Sequence, residues 1–136
     1  MKLRHARIVT KDVPALARFY QEITGLRPEG SNDYLEFRTA EGAFAISSQQ
    51  KMEEHGAGAT TPEANRSMVL DFEVEDVDKE YVRLRQIVSD FVFHPKDQPW
   101  GNRSMLFRDP DGNLVNFFTP RRNAIAHKDL EHAKIQ

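Results

Sequence analysis

The sequence contains no cysteine, and this absence removes several kinds of chemistry at once. Disulfide bonds, thiolate metal sites and cysteine nucleophiles are excluded, which leaves histidine, aspartate and glutamate as the remaining metal ligands. Stability must come from an apolar core, and a chain of 136 residues is long enough to bury one within a single domain.

An excess of charge of either sign is also missing, as are long apolar runs. The chain carries 19 basic and 21 acidic residues, interspersed along the sequence, for a formal charge of −2. No extended basic face is available to a phosphate backbone, so we expect no nucleic-acid partner. No segment resembles a membrane span or a signal peptide, so we expect a soluble cytoplasmic protein.

Several catalytic signatures do not occur. The sequence has no nucleophile elbow, glycine-rich phosphate loop or dinucleotide fingerprint, so hydrolase, kinase and nicotinamide-dependent functions have no support. Four histidines also lack metal-ligand spacing, and we interpret them as solvated: His55, His94, His127 and His132.

What is present is a repeat. The block Phe37-Arg38-Thr39-Ala40-Glu41-Gly42 returns as Phe107-Arg108-Asp109-Pro110-Asp111-Gly112, at an offset of 70, while Asp12-Val13 returns as Asp76-Val77, at an offset of 64. The six additional residues of the second half fit the segment 93–101. Two copies of a unit of roughly 65 residues indicate one pseudo-symmetric domain, because repeat arrays need at least three copies.

Within each copy the residue pattern predicts a strand, a helix, and then two or three strands joined by tight turns. In the first copy the strands cover 3–9, 34–38 and 43–48, and the helix runs between an Asp12 N-cap and Gly25. In the second copy the strands cover 67–74, 91–93, 103–108 and 113–119, and Asp76 caps the helix. The prediction is an α+β fold of paired βαβββ units: unit one 1–50, a linker 51–66 with a helical turn near Met52, and unit two 67–120. A charged tail, 121–136, follows as a short helix or a frayed end.

Three groups of residues, in this order, resemble those of a known family. They are His5-Ala6-Arg7-Ile8-Val9-Thr10-Lys11-Asp12, then Phe19-Tyr20 with Gly25-Leu26, and finally Pro99-Trp100-Gly101 followed by Phe107-Arg108-Asp109-Pro110-Asp111-Gly112-Asn113. The chain thus resembles the vicinal oxygen chelate superfamily, which includes glyoxalase I, bleomycin-resistance proteins, fosfomycin-resistance transferases and extradiol dioxygenases. The resemblance implies a cupped mixed sheet whose concave face holds a small-molecule ligand, and it implies a homodimer.

The resemblance also allows the family's metal positions to be checked in this sequence. His5 matches the first-strand histidine, and Val69 is its equivalent in the second copy at the offset of 64. Asn116 matches the last-strand glutamate, and Ile46 is its equivalent at the offset of 70. One imidazole, one amide and two aliphatic side chains do not form a site for zinc, iron or manganese. We therefore expect no cofactor, and a divalent metal is disfavoured.

Each polar candidate on the cavity side has two interpretations. His5 either contacts a ligand, as a donor, acceptor or general base, or is a hydrogen-bonded strand histidine. Arg7 either anchors an acidic ligand or forms a salt bridge with Asp71, its equivalent in the repeat. Asn116 offers both a donor and an acceptor to a ligand, or bonds only to water.

Trp100 and Arg103 lie in and after the Pro-Trp-Gly loop. Trp100 either stacks on a planar ligand or closes the core between the units, and we favour the structural role. Arg103 either points into the cup as an anion anchor or pairs at the surface with Asp97 or Glu36. An apolar lining on the same face as Ile46, Asn116 and Val69 is predicted from Phe44, Leu114 and Phe118.

These residues favour a metal-independent, small-molecule-binding member of the superfamily, with the ligand in the concave face of the sheet. Bleomycin-resistance-like sequestration is the nearest model, although this chain is nearly neutral while those proteins resemble strongly acidic cages for cationic drugs. One alternative is a glyoxalase- or dioxygenase-type enzyme, or an isomerase, that uses His5 in an atypical site. The other is a dimeric scaffold whose cup is filled by its own side chains.

Overall fold

Each half of the chain forms a strand, a helix and three further strands. The structure, a computed structural model, describes residues 1–121. The first half contains β1 (Ala6–Thr10), α1 (Val13–Thr24), β2 (Glu29–Gly30), β3 (Tyr34–Arg38), β4 (Ala43–Ser48) and α2 (Gln49–His55). The second contains β5 (Val69–Glu73), α3 (Val77–Leu84), β6 (Phe91–Asp97), β7 (Asn102–Arg108) and β8 (Leu114–Pro120). The predicted tail beyond Arg121, with His127 and His132, lies outside the described residues.

The strand pairing confirms the α+β architecture of paired βαβββ units. The order is β1-β4-β3-β2 in one four-stranded sheet and β5-β8-β7-β6 in the other. The first and last strands of each half pair in parallel, and the remaining neighbours are antiparallel, so both sheets are mixed. A parallel pair needs a long crossover, and α1 and α3 lie within those crossovers.

The chain divides into two compact units. The first comprises Met1–Arg66 together with Asp109–Asn113, and the second comprises Ser67–Arg108 and the chain from Leu114 onward. The segment predicted as a linker is therefore part of the first unit, where the predicted helical turn near Met52 forms α2. None of the helices in residues 1–121 has the length and apolar character needed to span a membrane.

Helix α1 begins and ends at the predicted residues. The Asp12 side chain accepts a hydrogen bond from the Ala15 backbone N–H at 3.1 Å, and Gly25 ends the helix in the left-handed conformation, with φ 74°. One stripe of the helix is buried, comprising Val13, Leu16, Ala17, Tyr20 and Ile23. This stripe gives the first unit its core-facing helix surface.

The stripe of α1 packs against aromatic side chains of the first sheet. The Tyr20 ring meets the Phe44 ring edge to face at a centroid distance of 4.9 Å, and Phe44 stacks on Phe37 at the same distance. Phe37 and Phe44 are opposite one another in the β3–β4 register. The α1 side of this sheet is therefore a packed aromatic core.

Helix α3 is shorter than α1. Asp76 caps it as expected, but the helix ends at Leu84, where the backbone N–H groups of Ile87 and Val88 both bond to the Leu84 carbonyl. Its apolar residues still face the core, since Val77, Leu84 and Val88 are buried and Tyr81 is half-buried.

The two hairpins that close the units differ by one residue. In the first, Arg38 pairs with Ala43 across a turn of four residues, 39–42. In the second, Arg108 pairs with Leu114 across a turn of five residues, 109–113. The offset between the two copies therefore rises from 70 before the turn to 71 after it. Asn116 consequently corresponds to Ala45, not to Ile46.

The prediction that Phe44 and Ile46 line the ligand cavity is wrong for this reason. A shift of one residue in a strand turns every side chain to the opposite face. Ile46 pairs with Ile8 and Leu35 on the side of the sheet that contacts α1 and is fully buried there, while Phe44 contacts Tyr20.

The longer turn, Asp109–Asn113, is organised around a buried carboxylate. Asp109 accepts hydrogen bonds from the Tyr20 hydroxyl at 2.6 Å, from the Asn113 amide at 2.9 Å and from the backbone N–H groups of Asp111 and Asn113 at 2.9 Å. Burial, reinforced by the Asp109 charge, holds the pKa of Tyr20 well above its usual value, so the phenol stays a donor. The turn is thereby tied to α1 within the first unit.

Replacing Tyr20 with phenylalanine removes one donor from the buried Asp109 carboxylate. We expect the free energy of unfolding to fall by about 1.5–3 kcal/mol, the range for a hydrogen bond to a charged group. Urea denaturation of the Tyr20→Phe variant measures the change. Tyr81→Phe is the matched control, because the Tyr81 hydroxyl has no hydrogen-bond partner within residues 1–121; equal losses in the two variants would contradict the assigned role of Tyr20.

The same turn contains a carboxylate that is poorly satisfied. One Asp111 side-chain oxygen, Oδ2, is buried and has no hydrogen-bond partner in the part of the chain that the structure describes. Burial raises the pKa of Asp111, with smaller contributions from the nearby charges of Asp109, Glu63 and Asp12, while a hydrogen bond from Thr10 acts in the opposite direction. Folding therefore disfavours the ionised form of Asp111.

This raised pKa predicts a pH-dependent effect of Asp111→Asn. Because the folded-state pKa exceeds the unfolded one, the contribution of Asp111 to stability falls as the pH rises through these values. The melting temperature of the variant, relative to the original chain, should therefore increase between about pH 3 and pH 7. Asp90→Asn, at an exposed position, is the control. A difference that is constant with pH would refute the assignment.

Candidate functional site

The face of the first sheet opposite α1 carries mostly polar side chains. Strand alternation places Arg7 and Val9 of β1, Ala45 and Ser47 of β4, and Tyr34 and Glu36 of β3 on this face. Arg7, Ala45 and Glu36 form one row across the three strands, and Val9, Ser47 and Tyr34 form the next. We call His5, Arg7, Tyr34, Glu36 and Arg38 the His5 cluster.

Tyr34 connects the two outer strands of this cluster. Its hydroxyl donates to Glu36 Oε2 at 2.6 Å and lies 2.9 Å from Nε2 of His5. Strands β1 and β3 are separated by β4, so the Tyr34 side chain extends across that strand. The crossing is possible because β4 presents only the small side chains of Ala45 and Ser47 here.

Glu36 is the negative centre of the cluster. The Tyr34 hydrogen bond is the largest influence holding the pKa of Glu36 below its usual value, with the Arg38 charge assisting against the cost of desolvation. Arg38 also forms an ion pair with Glu36. Desolvation and the bond to Glu36 in turn raise the pKa of Tyr34. At neutral pH Glu36 is therefore a carboxylate and Tyr34 a neutral phenol.

These protonation states define the tautomer of His5. Tyr34 has one proton and gives it to Glu36, so its oxygen can only accept from His5. The neutral imidazole must therefore carry its hydrogen on Nε2 and leave Nδ1 as the acceptor. His5 Nδ1 lies 4.0 Å from Glu36 Oε2 and has no hydrogen-bond donor within residues 1–121; the side chain is 26% exposed. It is thus a directed acceptor at the edge of the cluster.

Arg7 is the cation of the cluster without a carboxylate partner in the described part of the chain. Its guanidinium lies 5.9 Å from the centroid of the Tyr34 ring, and one of its nitrogens is 3.8 Å from Sδ of Met52 in α2. A thioether is a weak acceptor, so most of the guanidinium donors remain available.

The second sheet has its own polar face, opposite α3. Val69, Asp71 and Glu73 of β5 pair with Leu114, Asn116 and Phe118 of β8. The Asn116 amide nitrogen donates to Asp71 Oδ1 at 3.0 Å, which leaves the amide oxygen as an acceptor. Val69 is exposed and Phe118 is half-buried. The predicted face of these four residues, Val69, Asp71, Asn116 and Phe118, is confirmed.

Arg103 and Trp100 do not contribute to either polar face. Arg103 alternates with Met105 and Phe107 on the α3 side of its sheet, where it pairs with Asp78 at 2.8 Å and with Asp97 at 3.2 Å. The prediction that it points into the cup is wrong, and the surface pair with Asp97 is present. Trp100 lies at the β6–β7 turn and is 53% exposed, so the favoured role in closing a core is wrong.

The metal positions keep an unsuitable donor set after the register is corrected. Ala45 replaces Ile46 as the equivalent of Asn116. Neither Ala45 nor Ile46 has a side-chain atom that could bind a cation. Among residues 1–121, no three histidine or acidic side chains are grouped in a way that could hold a metal ion. The residues present therefore do not fit the divalent ion of the family's metalloenzymes.

A separate polar cavity of about 520 Å³ lies near the start of α1 and is lined by residues such as Lys11, Asp33 and Glu53. Its charged side chains are engaged within the unit. Asp33 accepts from the Ser48 hydroxyl, Glu53 accepts from the Gly58 backbone, and Lys11 pairs with Glu63 at 3.8 Å. The charged groups named here are therefore already paired, and the remaining polar lining consists of neutral side chains such as Asn32, Gln49 and Gln50.

Three members of the His5 cluster were not predicted from the sequence as site residues: Tyr34, Glu36 and Arg38. Their signal is the alternation of polar residues with buried Leu35 and Phe37 along β3, which places all three on one face. Strand alternation alone therefore places them on the face of β3 that neighbours the polar face of β1.

The model of the Glyoxalase/Bleomycin resistance protein/Dioxygenase superfamily matches residues 2–117 of the chain. A protein of Bacillus subtilis (strain 168), named "Uncharacterized protein YraH", is 31% identical over 125 residues. That alignment covers 87% of this chain and 98% of the relative.

Solved structures show the same fold. A glyoxalase/bleomycin resistance protein/dioxygenase family enzyme from Burkholderia phytofirmans PsJN has a TM-score of 0.78 at 18% identity, covering 88% of this chain and 99% of that one. A protein of unknown function from Agrobacterium tumefaciens has a TM-score of 0.76 at 28% identity, covering 88% and 94%.

Replacing Tyr34 with phenylalanine should reveal the hydrogen-bond chain directly. Since the Tyr34 bond is the largest influence lowering the pKa of Glu36, we expect that pKa to rise towards its ordinary value. The lowered pKa stabilises the fold above the unfolded-state pKa of glutamate and is lost as the pH falls, so the variant should lose stability at neutral pH and little at low pH.

Titration of the Glu36 carboxyl by carbon-13 NMR measures this shift, and Tyr81→Phe serves as the control. An unchanged Glu36 titration in the Tyr34→Phe variant would contradict the chain of hydrogen bonds that runs from His5 through Tyr34 to Glu36.

Proposed function

The chain belongs to the glyoxalase/bleomycin resistance protein/dioxygenase superfamily, and within that family we propose that it is a metal-independent small-molecule-binding protein. The ligand lies against the face of the first sheet that carries the His5 cluster. His5 and Arg7 supply its main polar contacts.

One observation carries this proposal. The His5 cluster is hydrogen-bonded internally, yet one acceptor, His5 Nδ1, has no donor in the cluster, and one cation, Arg7, has no carboxylate. His5 Nδ1 is an acceptor without a donor, and the Arg7 guanidinium has only a thioether and an aromatic ring beside it. Arg7 is exposed and the His5 side chain is 26% exposed, so water satisfies these groups in the free protein, and a ligand with matching donors and acceptors can replace that water. Groups held in position but left unpaired are what a binding site requires.

The donor set supports the absence of a metal from this function. Ala45 stands where the first unit would need a ligand on β4, and Asn116 stands at the corresponding place on β8. His5 is thus the single potential ligand among these positions, which is too few for zinc, iron or manganese.

The fixed tautomer of His5 favours a second candidate, an enzyme that uses no metal. An imidazole whose Nε2–H is held by a tyrosine and a glutamate can accept a proton at Nδ1, as a general base does. Such an enzyme would take a substrate with an acidic C–H or O–H bond near His5. Turnover of a bound compound, abolished in His5→Ala, would distinguish this candidate from simple binding.

A thermal-shift screen of protein dialysed against EDTA tests the proposal. Dicarbonyls, catechols, thiols, organic acids and cationic drugs form the panel, each with and without divalent metal. We expect at least one class to raise the melting temperature without metal, because a ligand that binds only the native state stabilises it. Stabilisation only after metal is restored, or by no compound, would overturn the proposal, and the latter result would favour a scaffold.

Two variants locate the ligand once a compound is found. Loss of one hydrogen bond, of about 0.5–1.5 kcal/mol, predicts that His5→Ala weakens its binding roughly 3- to 10-fold. His55→Ala, at an exposed position of α2 in the same unit, should change nothing. Asn116→Ala reports whether the polar face of the second sheet takes part. A loss of thermal stability in His5→Ala without any loss of affinity would indicate a structural role.

A further inference from the structure

We infer that the ligand of the His5 cluster is an organic anion whose negatively charged group pairs with the guanidinium of Arg7. This inference rests on the proposed function and adds the chemical class of the ligand. The assignment follows from the charges of the cluster and from the way Arg7 is held.

The charges of the cluster leave one cation uncompensated. Glu36 is the only acidic member, and it is already engaged by the Arg38 ion pair and by the Tyr34 hydroxyl. Apart from His5, the cluster carries two positive charges, on Arg7 and Arg38, and one negative charge, on Glu36. The uncompensated positive charge belongs to Arg7, which has no carboxylate partner in the described residues. A cationic ligand would be repelled here, and an uncharged one would leave Arg7 unpaired.

The position of Arg7 is also defined, which distinguishes it from a freely solvated surface arginine. Its guanidinium lies over the Tyr34 ring at 5.9 Å from the centroid, within the range of a cation–π contact, and beside the Met52 thioether at 3.8 Å. The Tyr34 ring is itself fixed by hydrogen bonds to His5 and Glu36. A guanidinium beside a ring still presents N–H groups to solvent, and these match a carboxylate in a two-point hydrogen bond.

The repeat supplies an internal comparison. The equivalent of Arg7 in the second sheet is Asp71, and the Asn116 amide already donates to it at 3.0 Å. The acidic position thus has a partner from its own sheet, whereas the equivalent strand position opposite Arg7 holds Ala45, which has no polar side chain. The first sheet therefore presents a cation at this position, whereas the second presents a carboxylate that already accepts one hydrogen bond.

Matched pairs of charged and uncharged probes test the inference. Benzoate and acetate are titrated into EDTA-treated protein beside benzamide and acetamide, which have nearly the same shapes without the charge. Binding is followed by NMR at the Arg7 Nε–H and the imidazole nitrogens of His5. We expect both carboxylates to shift these signals, the amides to bind at least about 10-fold more weakly, and added salt to weaken the carboxylates.

Variants of Arg7 assign the effect to the guanidinium. Arg7→Gln should weaken benzoate binding roughly 10- to 100-fold, the range for a lost charge-assisted hydrogen bond, and Arg7→Lys should restore part of it. Arg18→Gln is the matched control, since Arg18 is an exposed arginine on α1, on the opposite side of the same sheet. Melting curves establish that each variant is folded.

The possible outcomes separate this inference from the proposed function. If amides bind at the His5 cluster as well as carboxylates do, or if Arg7→Gln leaves benzoate binding unchanged, the anion assignment is overturned while small-molecule binding stands. If neither the probes nor the screened compounds shift signals of the cluster, both ideas are overturned. Carboxylate binding that is lost in Arg7→Gln and kept in Arg18→Gln supports both.

Discussion

A β-strand presents its side chains alternately to the two faces of its sheet, and this alternation decides which residues build the core and which can meet a ligand. Strand β4 shows the consequence most clearly. Phe44 and Ile46 pack against the α1 side, while Ala45 and Ser47 face the other way. By the same rule, the length of the preceding turn determines which face each side chain of a strand occupies, because one added residue moves every following side chain to the opposite face. The five-residue turn of the second unit is such a case.

The asymmetry of side-chain size along β4 is what allows the His5 cluster to form. Large residues on one face of β4 fill the core beneath α1. Small residues on its other face leave space for the Tyr34 side chain to reach from β3 across β4 to His5, the residue before β1. A larger residue at position 45 or 47 would occupy that path. Core packing and the orientation of a candidate functional histidine thus depend on the same strand, through opposite faces.

Much of the fold could be predicted from the sequence because its signals are local. The Asp12 and Asp76 caps, Gly25, and the positions of β3 and β4 each depend on nearby residues, and the structure confirms them. The site was harder to predict because it depends on pairing between distant strands. Residues 107–112 align with 37–42 without a gap, so the sequence gives no sign that β8 is displaced by one residue relative to β4. Arg103 was misplaced for a related reason, since only the β7 register assigns it to the α3 side.

The two copies of the unit preserve their cores and differ on their polar faces. Val13 and Val77 are buried at equivalent positions, as are Tyr20 and Leu84, whereas Arg7 corresponds to Asp71 and Ala45 to Asn116. Core positions are constrained by volume and by contact with the helix, but a polar face is constrained only by what it binds. The opposite charges at positions 7 and 71 therefore indicate different tasks for the two faces. On the second sheet Asp71 accepts a hydrogen bond from Asn116, and on the first Arg7 lies opposite Ala45, which has no polar side chain.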